Sequence, residues 1–126
     1  MKAVFYFLVF LSISNFSQDN CQSVRTGEFV LKSEEFGDFL ITRTEKNQVE
    51  YNEKSGIKMK YSLKWLDNCK YQLFNSEVLS GDDSLLGNEG DTLTVTILEV
   101  GKDYYKVATT ANFSDLSLET TLNIIK

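Results

Sequence analysis

The sequence contains no histidine and no proline, and it has only two cysteines and one tryptophan among its 126 residues. Without histidine the chain lacks the commonest general base and the commonest metal ligand, which excludes a serine–histidine triad and a histidine-containing zinc site. Residues 18–126 also lack the glycine-rich motifs that bind nucleotide phosphates. These absences predict a protein that is not an enzyme and that requires no cofactor.

Clustered positive charge is also lacking. The chain has 13 basic and 18 acidic residues, a formal net charge of −5 and an isoelectric point near 4.7. Proteins that bind nucleic acid neutralise its phosphates with clustered lysine and arginine, so we expect no nucleic-acid partner. The negative charge favours solubility instead.

The sequence does contain one long apolar run, over residues 3–11, close to the N-terminus. Lys2 precedes it and a polar stretch of small residues follows over 12–17, an arrangement typical of a secretory signal peptide. The run is too short for a membrane-spanning helix, which needs about 20 apolar residues, and residues 18–126 contain no run of that length. We therefore predict a signal peptide over 1–17, a single domain over 18–126 and a secreted or periplasmic location.

The cleavage site is predicted to follow Ser17, although a cut after Ser14 fits the small-x-small rule better. Cys21 lies just beyond, where a lipoprotein would carry its lipid. Residues 18–20 are Gln-Asp-Asn, however, whereas a lipidation motif has aliphatic and small residues at these positions. We therefore expect a protein that is not a lipoprotein.

Cys21 and Cys69 are the two cysteines, and an even number in an oxidising compartment indicates a disulfide bond. Neither belongs to a CxxC redox motif, and a zinc site would need two further ligands. We predict a structural disulfide that joins Cys21, in an N-terminal strand, to Cys69 at the start of a later strand. In the chain-entropy model, closing a loop of this length stabilises the fold by about 4 kcal/mol.

Apolar and polar residues alternate along much of the chain. The alternation is clearest over 57–65, where the sequence is IKMKYSLKW, and it recurs over 93–97 and 116–124. This pattern is typical of strands with one buried and one exposed face. Less regular candidates lie at 28–31, 39–44, 48–52, 71–78 and 104–110.

Short turn signals separate these runs, so neighbouring strands are expected to pair antiparallel. We predict an all-β fold, an antiparallel meander of about eight short strands that forms either a small up-and-down, lipocalin-like barrel or a flattened β-sandwich. The inward-facing candidates are Phe29, Met59, Tyr61, Trp65, Leu73, Val95, Ile97, Leu118 and Leu122. These side chains are bulky enough to fill a small barrel, which favours a solid core over a ligand cavity.

Arg43 lies on the apolar face of its predicted strand, so its charge is expected to point inward or at the rim. If residues 46–47 form a two-residue turn, Glu50 lies directly opposite Arg43 and Gln48 lies diagonally. The structural interpretation is a cross-strand ion pair supported by an amide. The functional interpretation is a polar anchor at a barrel mouth, which holds the acidic or carbonyl group of a ligand.

An aromatic cluster is expected beside this group, because a turn at 66–68 folds two aromatic-rich strands together. Its members are interpreted as core residues, or alternatively as part of a ligand site. The full set of candidate ligand-binding residues is Arg43, Gln48, Glu50, Tyr61, Trp65 and Tyr71.

The longest predicted connection, residues 80–91, has the sequence SGDDSLLGNEGD. Its carboxylates and glycines make Asp82, Asp83, Glu89 and Asp91 weak candidate ligands for calcium. The spacing does not match an EF-hand, and two leucines interrupt the acidic residues. We therefore predict a surface loop without a metal ion.

Several short motifs follow the early cysteine: Thr26-Gly27-x-Phe29, Ile41-x-Arg43, Gln48-x-Glu50 and Lys64-Trp65-Leu66-x-x-Cys69-x-Tyr71-x-Leu73. In these motifs the chain resembles a group of short secreted bacterial proteins of unknown function, some of which carry the name DNA topoisomerase IV. The resemblance spans most of residues 18–126 and implies no catalytic or binding residue. A topoisomerase needs a catalytic tyrosine within a far larger DNA-binding protein, so a secreted acidic domain of this size cannot have that activity.

Two classes of function are compatible with these features. The first is a small barrel that binds an apolar or amphipathic ligand in its interior, and we rank it first. The second is a protein–protein module with a solid core, such as an inhibitor or an envelope-assembly factor that acts through residues 80–91. In both cases we expect a monomer with no membrane span after the signal peptide.

Overall fold

Eight strands form where apolar and polar residues alternate, as the sequence predicts. The computed structural model describes residues 18–126, and its strands are β1 (Gly27–Leu31), β2 (Phe39–Arg43), β3 (Asn47–Asn52), β4 (Ile57–Asp67), β5 (Lys70–Ser80), β6 (Thr92–Val100), β7 (Tyr104–Ala111) and β8 (Ser114–Ile124). No helix within these residues is long and apolar enough to cross a membrane. The predicted signal peptide, residues 1–17, lies outside the described residues.

Each strand pairs antiparallel with the next, and β1 pairs with β8 to close a barrel. The closing register places Phe29 opposite Ile124. Gly27 lies beside this seam with a φ of 142°, and a Cβ there would be 2.6 Å from the carbonyl oxygen of Lys126. Only glycine lets the two strands approach this closely. The all-β prediction is confirmed, and the fold is the barrel rather than the sandwich.

The chain connections divide the barrel into two ends. Connections 44–46, 68–69 and 101–103 lie at one end, which we call the closed end. The remaining connections lie at the other, which we call the open end; they are 32–38, 53–56, 81–91 and 112–113. The longer connections are therefore all at the open end.

A short helix covers the closed end. It is a 3₁₀ helix over Gln18–Val24, and the disulfide between Cys21 and Cys69 attaches it to the turn between β4 and β5. Val24, at the end of this helix, is fully buried. The predicted disulfide is confirmed, but the prediction that Cys21 lies in a strand is wrong, because the chain makes a helical turn before β1 begins.

Packing decreases from the closed end to the open end, and β8 shows this most clearly. Leu122, on its inward face near the closed end, is 5% exposed. Leu118, on the same face nearer the open end, is 52% exposed, and Leu116, in the irregular first part of the strand, is 61% exposed. The prediction that Leu118 contributes to a filled core is therefore wrong: its strand face is correct, but about half of its surface is exposed at that level.

Candidate functional site

Arg43 is a charged side chain enclosed near the closed end, with only 2% of its surface exposed. Its Nε donates a hydrogen bond to Oε1 of Gln48 at 2.8 Å, and its Nη1 donates to the carbonyl oxygen of Val24 at 2.8 Å. Its Nη2 donates to the hydroxyl oxygens of Tyr71 at 2.9 Å and Tyr105 at 2.7 Å. Four of the five guanidinium N–H groups therefore have protein acceptors.

Aromatic rings enclose the guanidinium group as well. Its central carbon lies 4.7 Å from the ring centroids of both Phe29 and Tyr71. Phe29 also packs edge-to-face against Tyr105, with the centroids 5.2 Å apart. A buried charge is costly unless it is compensated, and here neutral oxygens and ring faces compensate it. Four of the five donors that the functional interpretation assigns to the acidic or carbonyl group of a ligand are thus already bonded to protein oxygens.

Gln48, rather than Glu50, lies directly opposite Arg43 in the β2–β3 hairpin. The hairpin turns at residues 45–46, so the predicted turn at 46–47 is wrong by one residue. This displacement moves the pairing by two positions along one strand, which preserves the face of every side chain. For this reason all three polar residues still point into the barrel.

Gln48 also connects Arg43 to Glu50. Its Oε1 accepts from Arg43, and its Nε2 donates to Oε2 of Glu50 at 2.7 Å. The predicted direct ion pair is therefore replaced by an amide bridge, and the described residues form no salt bridge between the guanidinium and this carboxylate. We call Arg43, Gln48, Glu50, Tyr71 and Tyr105 the polar cluster.

Burial shifts the pKa values of the ionisable side chains in and beside the polar cluster. It raises the pKa of Glu50, against the opposing effects of the Gln48 hydrogen bond and the Arg43 charge. It also raises the pKa of Tyr61 and Tyr71, and the negative charge of Glu50 adds to both shifts. These tyrosines therefore stay neutral at physiological pH, whereas Glu50 takes up its proton at a higher pH than an ordinary glutamate does.

A cavity of about 120 Å³ lies inside the barrel next to the polar cluster. Its wall consists of Leu31, Ile41, Arg43, Gln48, Glu50, Tyr71, Leu73, Leu93, Val95, Val107, Thr109, Thr120 and Leu122. Leu93, Thr109 and Thr120 are half-exposed, so this barrel cavity opens toward the open end. The prediction of a solid core is therefore wrong at this level, because threonines occupy two inward positions that larger side chains would have filled.

Exposed apolar side chains surround the open end. They come from three connections and from the start of β8, and include Phe36, Leu85, Leu86, Phe113, Leu116 and Leu118. Leu85 also lines a second cavity of about 380 Å³, together with Phe36, Phe39 and Ile57. The apolar rim is our name for the six exposed residues at this end: Phe36, Leu85, Leu86, Phe113, Leu116 and Leu118.

Two of the predicted aromatic site residues lie outside the wall of the barrel cavity. The Trp65 ring packs between Tyr71, at 4.7 Å between centroids, and the guanidinium carbon of Arg25, at 4.7 Å from the Trp65 ring. Tyr61 is half-buried and lines a separate cavity of about 90 Å³ under the 81–91 connection. Of the candidate ligand-binding residues, the structure brings four together around the barrel cavity: Arg43, Gln48, Glu50 and Tyr71.

Two acidic residues of the 81–91 connection, Asp82 and Asp91, bond to the loop itself. Oδ1 of Asp82 accepts from the backbone N–H of Ser84, and Oδ2 of Asp91 accepts from the backbone N–H of Asn88 at 2.8 Å. Within residues 18–126, no three Asp, Glu, Cys or His side chains are grouped to hold a metal ion. The calcium interpretation of Asp82, Asp83, Glu89 and Asp91 therefore finds no support.

Sequence reasoning missed several residues of the site. Tyr105 is fully buried and bonds to Arg43, and Thr109 forms part of the cavity wall on the same strand. The alternation along β7 places both on the inward face and could have identified them. No pattern in the sequence indicates that the carbonyl group of Val24 completes the Arg43 network, because this contact depends on the helix across the closed end.

Comparisons with protein-family models, with curated proteins and with solved structures give no match. The resemblance noted from the sequence motifs therefore stays a prediction. Function has to be inferred from the barrel cavity, the polar cluster and the apolar rim.

Proposed function

We propose that this chain is a secreted or periplasmic binding module that holds a small apolar molecule in the barrel cavity and catalyses no reaction. The observation that carries this proposal is the cavity itself, which is mainly apolar, opens at one end and has a polar wall at the other. Ligand sites typically combine an apolar lining with a few oriented polar groups. The Cys21–Cys69 disulfide fits an oxidising compartment, and the predicted signal peptide supports export.

The size of the cavity limits the ligand. Drug-sized molecules occupy sites of roughly 300–1,000 Å³, whereas an engineered apolar cavity of about 150 Å³ binds benzene. A volume of about 120 Å³ therefore suits a short alkyl chain or one small ring. A longer chain could insert one end, while the remainder contacts the apolar rim.

Rigid surroundings favour such binding. The polar cluster and the disulfide-linked helix fix the inner wall before a ligand arrives, so little ordering is needed on binding. The entrance is formed by half-exposed side chains, which leaves a path for the ligand from solvent.

A substitution that fills the cavity tests the proposal. Thr109→Phe introduces a ring on the inward face of β7, whereas Thr110→Phe introduces the same ring at the next, exposed position. Hexanol is titrated into each folded variant while amide chemical shifts are recorded. We expect saturable binding to the wild type and to Thr110→Phe, and about tenfold or more weaker binding to Thr109→Phe, because the ring occupies the ligand volume. Equal affinities in the two variants, or no binding to the wild type, would contradict the proposal.

The second candidate is a protein–protein module that acts through the apolar rim. It is favoured by one observation, the concentration of exposed Phe and Leu side chains around the open end, since exposed apolar patches mark interaction sites. Hexanol binding that is equally strong in Thr109→Phe and Thr110→Phe would favour this candidate, since neither substitution removes a rim side chain.

A further inference from the structure

Glu50 is the charged group in the cavity wall that remains available to a ligand. It is half-buried, and its Oε2 accepts a hydrogen bond from Gln48. Its second oxygen, Oε1, has no hydrogen-bond donor within the part of the chain that the structure describes. An ionised carboxyl group accepts several hydrogen bonds, so this oxygen can accept one from a ligand.

Arg43 lines the same cavity but differs from Glu50 in availability. Its donors bond to protein oxygens, two aromatic rings lie over the guanidinium group, and almost none of its surface is exposed. One guanidinium N–H, the second of Nη1, remains for a ligand, and a carboxylate that bound Arg43 through two hydrogen bonds would displace a protein acceptor and leave a buried polar group without a partner. The geometry therefore disfavours an acidic ligand.

We propose that the ligand of the barrel cavity is a small primary amine, whose ammonium group donates to Oε1 of Glu50 while its short apolar chain fills the cavity toward the open end. This inference rests on the proposed function. The carboxylate lies in a mainly apolar wall, where one neutral amide bonds to it directly and the Arg43 charge acts on it only through space, so a bound ammonium group supplies a direct charged partner. The nearby walls suit the chain, since Ile41, Leu73, Val95 and Leu122 are apolar and buried.

The pH dependence of binding is set by few groups. The titratable or charged side chains that act on Glu50 are Arg43 from β2, Tyr61 from β4, Tyr71 from β5 and Tyr105 from β7. Burial raises the pKa of each of these tyrosines, so they stay neutral. Protonation of Glu50 therefore removes the acceptor charge, and amine binding is expected to weaken as the pH falls.

The experiment compares three probes with the same chain but different head groups: hexylammonium, hexanol and hexanoate. Each is titrated into the folded protein at about pH 7, with amide chemical shifts as the readout. We expect hexylammonium to bind about tenfold or more tightly than hexanol, as for one charge-assisted hydrogen bond, and hexanoate to bind least tightly. In Glu50→Gln the advantage of hexylammonium over hexanol should disappear.

Glu119→Gln is the matched control, because it removes one carboxylate from an exposed position on β8 and should leave the preference unchanged. Glu50→Gln keeps the shape of the side chain and the acceptor for Gln48, so it should fold. The wild-type titration repeated at about pH 4 needs no variant and should show a reduced hexylammonium affinity with an unchanged hexanol affinity.

The outcomes separate the two proposals. Binding of hexanol without a preference for hexylammonium, a preference that persists in Glu50→Gln, or tighter binding of hexanoate would overturn the amine inference and leave the binding function intact. If none of the three probes binds, the proposed function itself is overturned.

Discussion

The two ends of this barrel are built from the same eight strands, yet they differ in how tightly their inward side chains are packed. At the closed end, large residues such as Phe29, Tyr71 and Tyr105 pack around Arg43, and the helix and disulfide cover them. At the open end, Thr109 and Thr120 occupy inward positions, and their small side chains leave the barrel cavity unfilled. If the barrel cavity binds a ligand as we propose, the fold places stability and binding at opposite ends, whereas the two are often in conflict within one site.

The strands themselves set this difference. Along β8, an inward leucine changes from buried to mostly exposed within two residue pairs, between Leu122 and Leu118. A strand gains free energy from such a residue only where partners cover it. Substitutions at the two ends should therefore have very different costs.

Removal of Arg43 is expected to have the largest effect. Arg43→Ala leaves Gln48, Tyr71 and Tyr105 without their common donor, and it creates a cavity beneath them. Loss of one partner from a buried charged network typically costs about 3–5 kcal/mol in free energy of unfolding. Denaturant unfolding monitored by circular dichroism measures this cost.

Arg25→Ala is the control for charge at the closed end, because Arg25 pairs with exposed Glu45 and should contribute less than about 1 kcal/mol. If Arg43→Ala unfolds like the wild type but fails to bind any probe, Arg43 anchors the ligand and the structural interpretation of the polar cluster is contradicted.

Removal of the disulfide is expected to have a comparable, slightly smaller effect. The double variant Cys21→Ala/Cys69→Ala opens the loop between two cysteines that are 48 residues apart in the sequence. The chain-entropy model predicts that the free energy of unfolding falls by about 4 kcal/mol at most. The loss should be accompanied by faster amide hydrogen exchange in the Gln18–Val24 helix, because the bridge attaches it to the barrel. Unchanged exchange there would show that the hydrogen bonds alone hold the helix in place.

A matched pair on β8 gives the smallest and most local comparison. Leu122→Ala removes a buried side chain and should cost about 2–4 kcal/mol, whereas Leu118→Ala removes an exposed one and should cost less than about 1 kcal/mol. Thermal unfolding of both variants provides the measurement. Similar costs would mean that the open end is packed in solution.

The sequence predicted the strands and their faces well, because a period of two residues reports directly which side chains share a face. It placed the β2–β3 turn one residue too late, since neither 45–46 nor 46–47 contains a strong turn dipeptide such as Asn-Gly. Alternation identified Leu118 as inward, but it carries no information about whether anything packs above it. The Arg43 network could be predicted only in part, because Val24 and Tyr105 reach it through tertiary packing.

The location of bound ligand tests the central claim most directly. Intermolecular nuclear Overhauser effects are measured between hexanol and the methyl groups of the protein under saturating conditions. We predict contacts from the hexyl chain to Val95, Val107 and Leu122, which line the barrel cavity. Contacts confined to Leu116 and Leu86 on the apolar rim would contradict a binding site inside the barrel.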